Sequence, residues 1–247
     1  MTKALPGRQR VRLSVLFLSM LLFPITMNYL SPYVSIDGAV GGILAASPVV
    51  FAVQFISALF FGRLFCGWIC PAGMLQDVAA GINNNPINRK KTDWIKWAIW
   101  IPWFGTLMFF LLKAGASLRF DPLHLTESGI SVDEPLKYIT YFSVVFLFLV
   151  IAVFTGRRGS CHTICWMAPF MILGRNLGNF LHLPGLRLQA DSTKCSNCQV
   201  CTTNCPMSLD VNGMVKVGKM ENPECILCGK CVDGCSKKAI RFVFGKL

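Results

Sequence analysis

The chain has 247 residues, of which 53% are hydrophobic and 15% are charged, and its mean hydropathy is +0.53. This composition excludes an ordinary water-soluble globule, and it excludes a disordered chain because so apolar a sequence buries enough surface to offset the entropy of ordering. Lys and Arg number 24 against 12 Asp and Glu, a formal net charge of +12, and 12 cysteines recur at regular spacing.

Four apolar stretches are long enough to cross a bilayer, which takes about 20 apolar residues in a helix. We place them near residues 13 to 33, 40 to 62, 94 to 112 and 136 to 155. Pro24 and Asn28 interrupt the first stretch, and neighbouring helices can satisfy the groups that such residues expose. The basic amino terminus lacks a convincing cleavage site, so we expect an uncleaved anchor. The sequence thus predicts a mainly α membrane protein with four transmembrane helices.

Lys and Arg are distributed unevenly along the chain. They cluster at the amino terminus, between Arg63 and Lys96, and after Arg157, whereas residues 113 to 137 hold more acidic than basic side chains. Because cytoplasmic loops retain Lys and Arg, we expect a multi-pass protein of the inner (cytoplasmic) membrane with both termini in the cytoplasm. We attribute the excess positive charge to topology and contact with anionic lipid. No nucleic-acid partner is expected, since aromatic and basic residues do not interleave.

The carboxyl-terminal segment carries two runs of the pattern CxxCxxCxxxC. The first run consists of Cys195, Cys198, Cys201 and Cys205, and the second consists of Cys225, Cys228, Cys231 and Cys235. In the bacterial ferredoxin spacing, three thiolates of a run bind one cluster and the fourth binds the cluster of the other half. The spacing therefore predicts two 4Fe-4S clusters, with Cys235 completing the first set and Cys205 the second. Zinc is the alternative, and cysteines at successive three-residue steps suit its tetrahedral sites poorly.

These runs resemble the bacterial two-cluster ferredoxin domain over residues 194 to 244. The resemblance implies a small α+β domain that holds both clusters. The second run departs from the pattern, because Ser236 follows Cys235 where a proline usually stands, as Pro206 does after Cys205. The missing ring leaves one more backbone N–H near that cluster, which affects its reduction potential rather than its ligation.

Four further cysteines form two CxxxC pairs at the ends of the second and fourth apolar stretches: Cys66, Cys70, Cys161 and Cys165. Each pair follows a Phe-x-Gly-Arg sequence and two apolar stretches, which indicates a tandem repeat of helix, helix, CxxxC. Parallel repeats would place the pairs side by side at the cytoplasmic surface. If the pairs are helical, the i and i+4 thiols share one face and offer four soft ligands to an iron-sulfur centre, Cu(I) or Zn(II). Four packed free cysteines are the alternative, and His162 in the second pair has no match in the first.

With these motifs, nearly the whole chain resembles the membrane-bound polyferredoxins of the NapH and NosR type. The first pair continues to Pro71 and matches the CxxxCP pattern of that family, whereas Trp166 follows Cys165 and the next proline is Pro169. The resemblance implies a link to quinol oxidation that feeds periplasmic reductases, and relatives assist the assembly of copper enzymes. The smaller NapH-like domain arrangement fits better than that of NosR-type members, which carry a large extracytoplasmic flavin domain. No covalent flavin is therefore expected.

We therefore predict a membrane-anchored iron-sulfur protein that relays electrons between the quinone pool or a cytoplasmic donor and a partner reductase. It would be the membrane subunit of a quinol dehydrogenase or another oxidoreductase complex, with no catalytic residue of its own. The expected domains are a transmembrane domain of residues 1 to 185 and a cytoplasmic ferredoxin domain of residues 186 to 247. One alternative is a metal-handling protein that binds or reduces copper at the CxxxC pairs, and a second is a redox sensor.

Two weaker features lie outside the cysteine motifs. His124 and Asp121 fall in the loop expected outside the membrane, where they would receive protons from a quinol or simply face solvent. Tryptophans recur every third residue at the start of the third apolar stretch, at Trp94, Trp97, Trp100 and Trp103. We expect the first of them at the membrane interface and ordinary packing for the deeper ones.

Overall fold

The computed structural model describes residues 5 to 246, apart from the Ala116 side chain, and divides into a helical part and a smaller α+β part. The helices of the first part are α1 (Gly7–Leu21), α2 (Phe23–Thr26), α3 (Pro32–Val40), α4 (Ala46–Phe61), α5 (Leu64–Trp68), α6 (Pro71–Ala79), α7 (Arg89–Thr92), α8 (Ile95–Ala114), α9 (Lys137–Thr155), α10 (Gly159–Thr163) and α11 (Ala168–Phe180). Two-residue strands β1 (Ile43–Leu44) and β2 (Arg119–Phe120) pair in parallel and join the loops beyond α3 and α8.

Two helical segments of the described chain are long and apolar enough to cross a membrane, Arg89–Ala114 and Lys137–Thr155. They match the third and fourth stretches expected from the sequence, whereas Ala46–Phe61 is a shorter apolar helix. The single helix expected near 13 to 33 is wrong: α1 ends at Leu21, and the chain continues through α2 and a short 3-10 turn. Pro24 lacks an N–H for the helical ladder, which explains the break. Four transmembrane helices are therefore not confirmed.

The helical part contains a structural repeat with reciprocal packing. In α4–α5–α6 and again in α9–α10–α11, a long helix is followed by a one-turn helix and then by a helix with proline in its first turn. Gly62 (φ 53°) and Gly156 (φ 100°) end the two long helices in backbone conformations that favour glycine. Helix α11 packs on α4 and α6 packs on α9, so each half supplies the neighbour of the other half's long helix.

The α+β part begins at β3 (Gly185–Ala190), which pairs antiparallel with β4 (Ile240–Gly245) from Gly185↔Gly245 to Ala190↔Ile240. Between the strands lie α12 (Val200–Thr203), α13 (Val211–Val217) and α14 (Lys230–Asp233). The sheet closes the part into a unit that carries both CxxCxxCxxxC runs. The C-terminal α+β unit expected from the sequence is thus present, and the expected domain boundaries stay predictions.

Ion pairs join the two parts, and several of them are buried. Glu224 accepts from Arg63 and also from Lys96, whose Nζ lies 2.5 Å away, and both cations are fully buried. Arg175 of α11 forms a two-bond pair with Glu221 at 2.7 Å. Because unpaired buried charges are strongly destabilising, these pairs hold the α+β part in one position on the helical part.

Candidate metal centres

The first cysteine set of the α+β part surrounds a small cavity near the surface. Its four cysteines are Cys195, Cys198, Cys201 and Cys235, and Asn212 and Val215 of α13 complete the wall. Cys198 is exposed to solvent, whereas Cys201 is buried. The grouping crosses the two sequence runs in the way that the spacing predicts, and cluster ligation by these residues stays a prediction.

The second cysteine set lies deeper. Its members, Cys205, Cys225, Cys228 and Cys231, line a second small cavity together with buried Met207, Leu209 and Ile226. Four convergent thiolates in an apolar cradle are the donor set that a 4Fe-4S cluster takes. The residues present therefore fit one cluster in each cavity.

Backbone geometry repeats between the two cysteine sets. The residues with positive φ occupy matching positions after the cysteines and are Asn197 and Leu227, Gln199 and Gly229, and Ser208 and Lys238. Such turns direct successive backbone N–H groups into a concavity that suits an anion. Gly229 and Asn197 are of residue types that favour positive φ, whereas the residue types at the other four positions do not indicate it. The Ser208 and Lys238 amides close equivalent turns onto the Cys205 and Cys235 carbonyls, at 3.2 and 3.0 Å, so the turn forms without a proline after Cys235.

The two CxxxC pairs adopt one shared backbone geometry, which differs from the continuous helix considered above. Cys66 and Cys161 lie in the one-turn helices α5 and α10, whereas Cys70 and Cys165 lie just beyond them. The Cys70 amide donates to the Phe65 carbonyl at 2.9 Å, and the Cys165 amide donates to its counterpart five residues back, on Ser160, at 3.1 Å. The repeat seen in the sequence is therefore also a repeat of hydrogen bonds.

All four of these cysteines are buried, and they belong to one packed cluster of side chains. Gln76 of α6 reaches across the repeat to Cys161: its Nε2 lies 3.1 Å from Sγ and its Oε1 accepts the Cys161 N–H at 3.2 Å. Burial raises the pKa of the Cys66, Cys70 and Cys165 thiols, the last to about 12. Within residues 5 to 246 no group of three or more His, Cys, Asp or Glu side chains lies close enough for a single ion, and a multi-iron core spans a wider set of thiols.

The histidines named from the sequence have other partners. His162 is fully buried, and its Nδ1 lies 2.5 Å from Asp93 Oδ1. Burial lowers its pKa against the effect of that carboxylate. His124 pairs with Asp37 at 2.8 Å rather than with Asp121. Each histidine thus pairs with an aspartate, and neither belongs to a cysteine site.

The deeper tryptophans pack against other aromatic rings. Trp100 stacks on Phe104 with centroids 4.6 Å apart and meets Phe170 edge to face at 5.1 Å. Trp94 is exposed at the start of this helical segment. This arrangement agrees with packing for the inner tryptophans and an outer position for Trp94.

The second cysteine set packs directly on the first CxxxC pair. A Cβ added at Gly67 would overlap the carbonyl oxygen of Ile226, in the loop between Cys225 and Cys228. Trp68 Nε1 donates to the Leu227 carbonyl at 3.1 Å. Only glycine allows this approach of two backbones, so the residue between Cys66 and Cys70 is part of the contact between the two parts.

An apolar cavity of about 480 Å³ lies beside Cys70 of the first CxxxC pair. Cys70, Trp166 and Phe148 line it, and so do Lys137 at the start of α9 and Ser131 in the loop before this helix. Lining residues from Lys137 to Phe148 follow three turns of α9, roughly 16 Å. The volume lies within the range of small-molecule sites, about 300–1,000 Å³.

Comparison with known proteins identifies the domains. Residues 43 to 92 match the 4Fe-4S binding domain family, and residues 194 to 240 match the 4Fe-4S dicluster domain family. An uncharacterized protein of Methanocaldococcus jannaschii is 24% identical, over 85% of this chain and 78% of that protein. The methylamine utilization ferredoxin-type protein MauN of Paracoccus denitrificans is 24% identical, over 81% of this chain and 68% of MauN. The ferredoxin-type protein NapH of Haemophilus influenzae is 25% identical, over 75% of this chain and 63% of NapH. No solved structure matches the chain.

The cysteine-lined cavities and the two domain matches define an iron-sulfur protein of the ferredoxin type. The chain is similar to the membrane-type polyferredoxins represented by NapH, MauN, YccM and NosR. The family resemblance seen in the sequence is confirmed, together with iron-sulfur clusters and electron transport. The chain spans 25% of the length of NosR. The copper-handling and sensor alternatives stay predictions of the sequence.

Proposed function

We propose that this chain is a membrane-anchored electron relay whose three cysteine sites stand in series between an apolar cavity and solvent. The contact of Gly67 with the Ile226 carbonyl carries the proposal, because it seats the second ferredoxin set on the first CxxxC pair. When bound, iron-sulfur clusters supply one-electron transfer without making or breaking a bond. The chain's own residues order the sites and keep water away from all but the outermost.

The order of the sites follows from burial. Cys198 of the first set is exposed, so a soluble or subunit partner meets the chain at the set of Cys195, Cys198, Cys201 and Cys235. The second set is covered on its inner side by α5 and by Gln9 of α1, which donates to the Cys228 carbonyl at 3.0 Å. A partner therefore reaches the inner sites through the outer one. The class of partner that fits this outer set is another redox protein or redox subunit, as the names of the relatives suggest.

The four CxxxC cysteines form the innermost site, and we propose that they hold a third iron-sulfur centre. The matched 4Fe-4S binding domain covers Cys66 and Cys70, and the repeat brings Cys161 and Cys165 into the same buried cluster. Buried thiols ionise only beside compensating positive charge, which an iron-sulfur core supplies. Two buried arginines, Arg63 and Arg158, add to it.

The apolar cavity beside Cys70 suits a lipid-soluble electron carrier, and we propose quinone or quinol as its occupant. Its wall is mostly apolar with a few polar groups, among them Asn28, Ser131 and Lys137. A ring in this cavity would reach the innermost cysteine site at one end and the polar loop at the other. The direction of electron flow then depends on the partner that is coupled to the outer set.

Iron content and cysteine substitutions test the proposal. Anaerobically purified protein should contain more than the roughly eight irons and eight sulfides of two 4Fe-4S clusters. Cys66→Ser and Cys161→Ser should each remove the excess and abolish quinol-linked cluster reduction, while the ferredoxin clusters remain. Ile69→Ser is the matched control, since it introduces the same side chain into the same motif at a half-exposed position. If Cys66→Ser and Cys161→Ser both retain all of the iron and normal quinol-linked cluster reduction, the four cysteines are packed side chains that hold no centre.

A further inference from the structure

The two buried arginines beside the CxxxC pairs are structural counterparts. Arg63 and Arg158 each stand three positions before the first cysteine of their pair, and each accepts that cysteine's N–H on its carbonyl, at 3.1 and 2.9 Å. Their side chains are fully buried or nearly so. The repeat therefore places one guanidinium group beside each pair.

Each arginine belongs to a triad with an excess of positive charge. Asp77 accepts from both Arg158 and Arg12, and Glu224 accepts from both Arg63 and Lys96. Each carboxylate thus faces two cations, and the four cations are buried. A buried charge without compensation is strongly destabilising. Both triads adjoin the CxxxC pairs, since the Arg63 and Arg158 carbonyls accept the Cys66 and Cys161 N–H groups. The surroundings of these cysteines therefore suit an anionic group.

The nearby Asp93 does not remove this excess. Its side chain is 22% exposed, and it is shared among His162 at 2.5 Å, Arg89 at 3.0 Å and Lys96 at 3.7 Å. Four thiolates around an iron-sulfur core form a group of net negative charge. The excess of buried cations and the donor set therefore point to the same kind of occupant.

The hydrogen bonds distinguish the two arginines. Arg158 uses Nε and Nη2 on Asp77, at 3.1 and 3.0 Å, and Nη1 on the Cys66 carbonyl at 2.8 Å. Arg63 uses Nη1 on Glu224, but its buried Nε and Nη2 have no acceptor among residues 5 to 246. Arg63 immediately precedes the one-turn helix that holds Cys66, and Cys66 is buried in one cluster with Cys161 and Cys165. Buried N–H groups almost always have a hydrogen-bond acceptor. We therefore look for the acceptors of Arg63 Nε and Nη2 among these cysteine sulfur atoms.

We propose that Arg63 is a positioning residue of the four-cysteine site, donating through Nε and Nη2 to sulfur there and favouring the reduced state of the centre. This rests on the proposed third centre. Reduction adds one electron to the centre, and no bond of the centre forms or breaks. The electron comes from the ferredoxin clusters or from a quinol, which gives up two electrons one at a time and releases two protons as it becomes quinone. The added negative charge is stabilised by the guanidinium, so the midpoint potential is higher with Arg63 than without it.

Redox titration of the full chain in detergent, followed by electron paramagnetic resonance, tests this role. Arg63→Gln should lower the potential of the third centre by about 59 mV, the one-electron equivalent of a tenfold change. Arg63→Lys should restore part of the shift, because it keeps the charge and loses the forked donors. Arg175→Gln is the matched control: Arg175 is also buried and pairs with Glu221 between the same two parts, yet it lies beside Cys225. It should leave the third centre unchanged.

The outcomes separate this role from the third centre itself. Wild-type protein with the iron of only two clusters would overturn the proposed centre whatever Arg63 does. A third centre whose potential is the same in Arg63→Gln and Arg175→Gln would overturn the role of Arg63 alone. If the Arg63→Gln protein does not assemble its clusters, the Arg63→Lys variant provides the test. A third centre with the wild-type potential and resonance in Arg63→Lys would count against hydrogen bonds from Arg63 Nε and Nη2 to sulfur.

Discussion

Gly67 shows how a single residue joins the two parts of the chain. It lies between Cys66 and Cys70, and its missing side chain admits the carbonyl of Ile226. Around it, Arg12 Nε donates to the Gly67 carbonyl at 2.8 Å. The same short segment thus carries two cysteines of the inner site and the surface on which the ferredoxin domain sits.

Replacing Gly67 should separate these parts. Gly67→Ala places a methyl group against the Ile226 carbonyl, and overpacking of this kind costs about 1–3 kcal/mol. We expect a lower unfolding temperature, measured by tryptophan fluorescence in detergent, and faster protease cleavage between the parts. Gly105→Ala is the control, because nothing lies within 4 Å of a Cβ at that helical glycine. Equal stability of the two variants would contradict the close approach.

Asp77 gives a second prediction at this scale. Burial opposes its ionisation, but Arg158, Lys230 and Arg12 outweigh burial and lower the pKa to about 2. A lowered pKa contributes stability that is present above about pH 4 and is lost as the pH falls through 2. Asp77→Asn should therefore lower the free energy of unfolding at pH 7 by about 2 kcal/mol or more, measured by denaturant titration.

Asp191 is the matched control for Asp77. Its pKa is also about 2, through Thr193 and Lys194, but its side chain is 42% exposed and solvent screens its contacts. Asp191→Asn should therefore change stability little. A similar loss in both variants would show that burial of the Asp77 triad is unimportant.

Among the elements, α13 supports the exposed cysteine set. Asp210 caps this helix by accepting the Gly213 N–H at 3.0 Å, and Asn212 and Val215 of the helix line the cavity of Cys195 and its partners. The helix is short, so its start depends on the cap. The outermost site is therefore sensitive to a residue that lies outside its cysteines.

Removal of this cap should destabilise the outer cluster. Asp210→Ala is expected to cost about 1 kcal/mol and to speed the bleaching of cluster absorbance under chelator and mild denaturant. Asp210→Asn keeps a capping oxygen and should bleach like the wild type. Bleaching that is equally fast in the alanine and asparagine variants would indicate that charge, not capping, is what matters.

Local patterns in the sequence predicted the elements better than the contacts between them. The crossed cysteine sets and the segments Arg89–Ala114 and Lys137–Thr155 follow from spacing and composition over short windows. The pair of Arg63 and Glu224 joins residues 161 positions apart, and no local pattern marks it. The positive φ of Leu227 is likewise imposed by the loop rather than by the residue type.

At the scale of the whole molecule, the two ends of the long helices differ in charge. One end carries the ferredoxin domain, the CxxxC pairs and most of the basic residues. The other end is closed by β1 and β2, by Tyr29 donating to the Gly129 carbonyl at 2.8 Å, and by the pair of His124 and Asp37. Loops at this second end hold few of the chain's 24 Lys and Arg.

This difference predicts the orientation in the membrane. Lys and Arg are retained on the cytoplasmic side, and iron-sulfur clusters persist where thiols stay reduced, so the ferredoxin end should face the cytoplasm. Alkaline phosphatase and green fluorescent protein fused after Ser128, in the second-end loop, and at the carboxyl terminus should report opposite compartments. A fusion after Asn84, which lies between α6 and α7, is the internal control and should agree with the carboxyl terminus. Equal signals from Ser128 and the carboxyl terminus would mean that α8 and α9 do not separate the two ends across a bilayer.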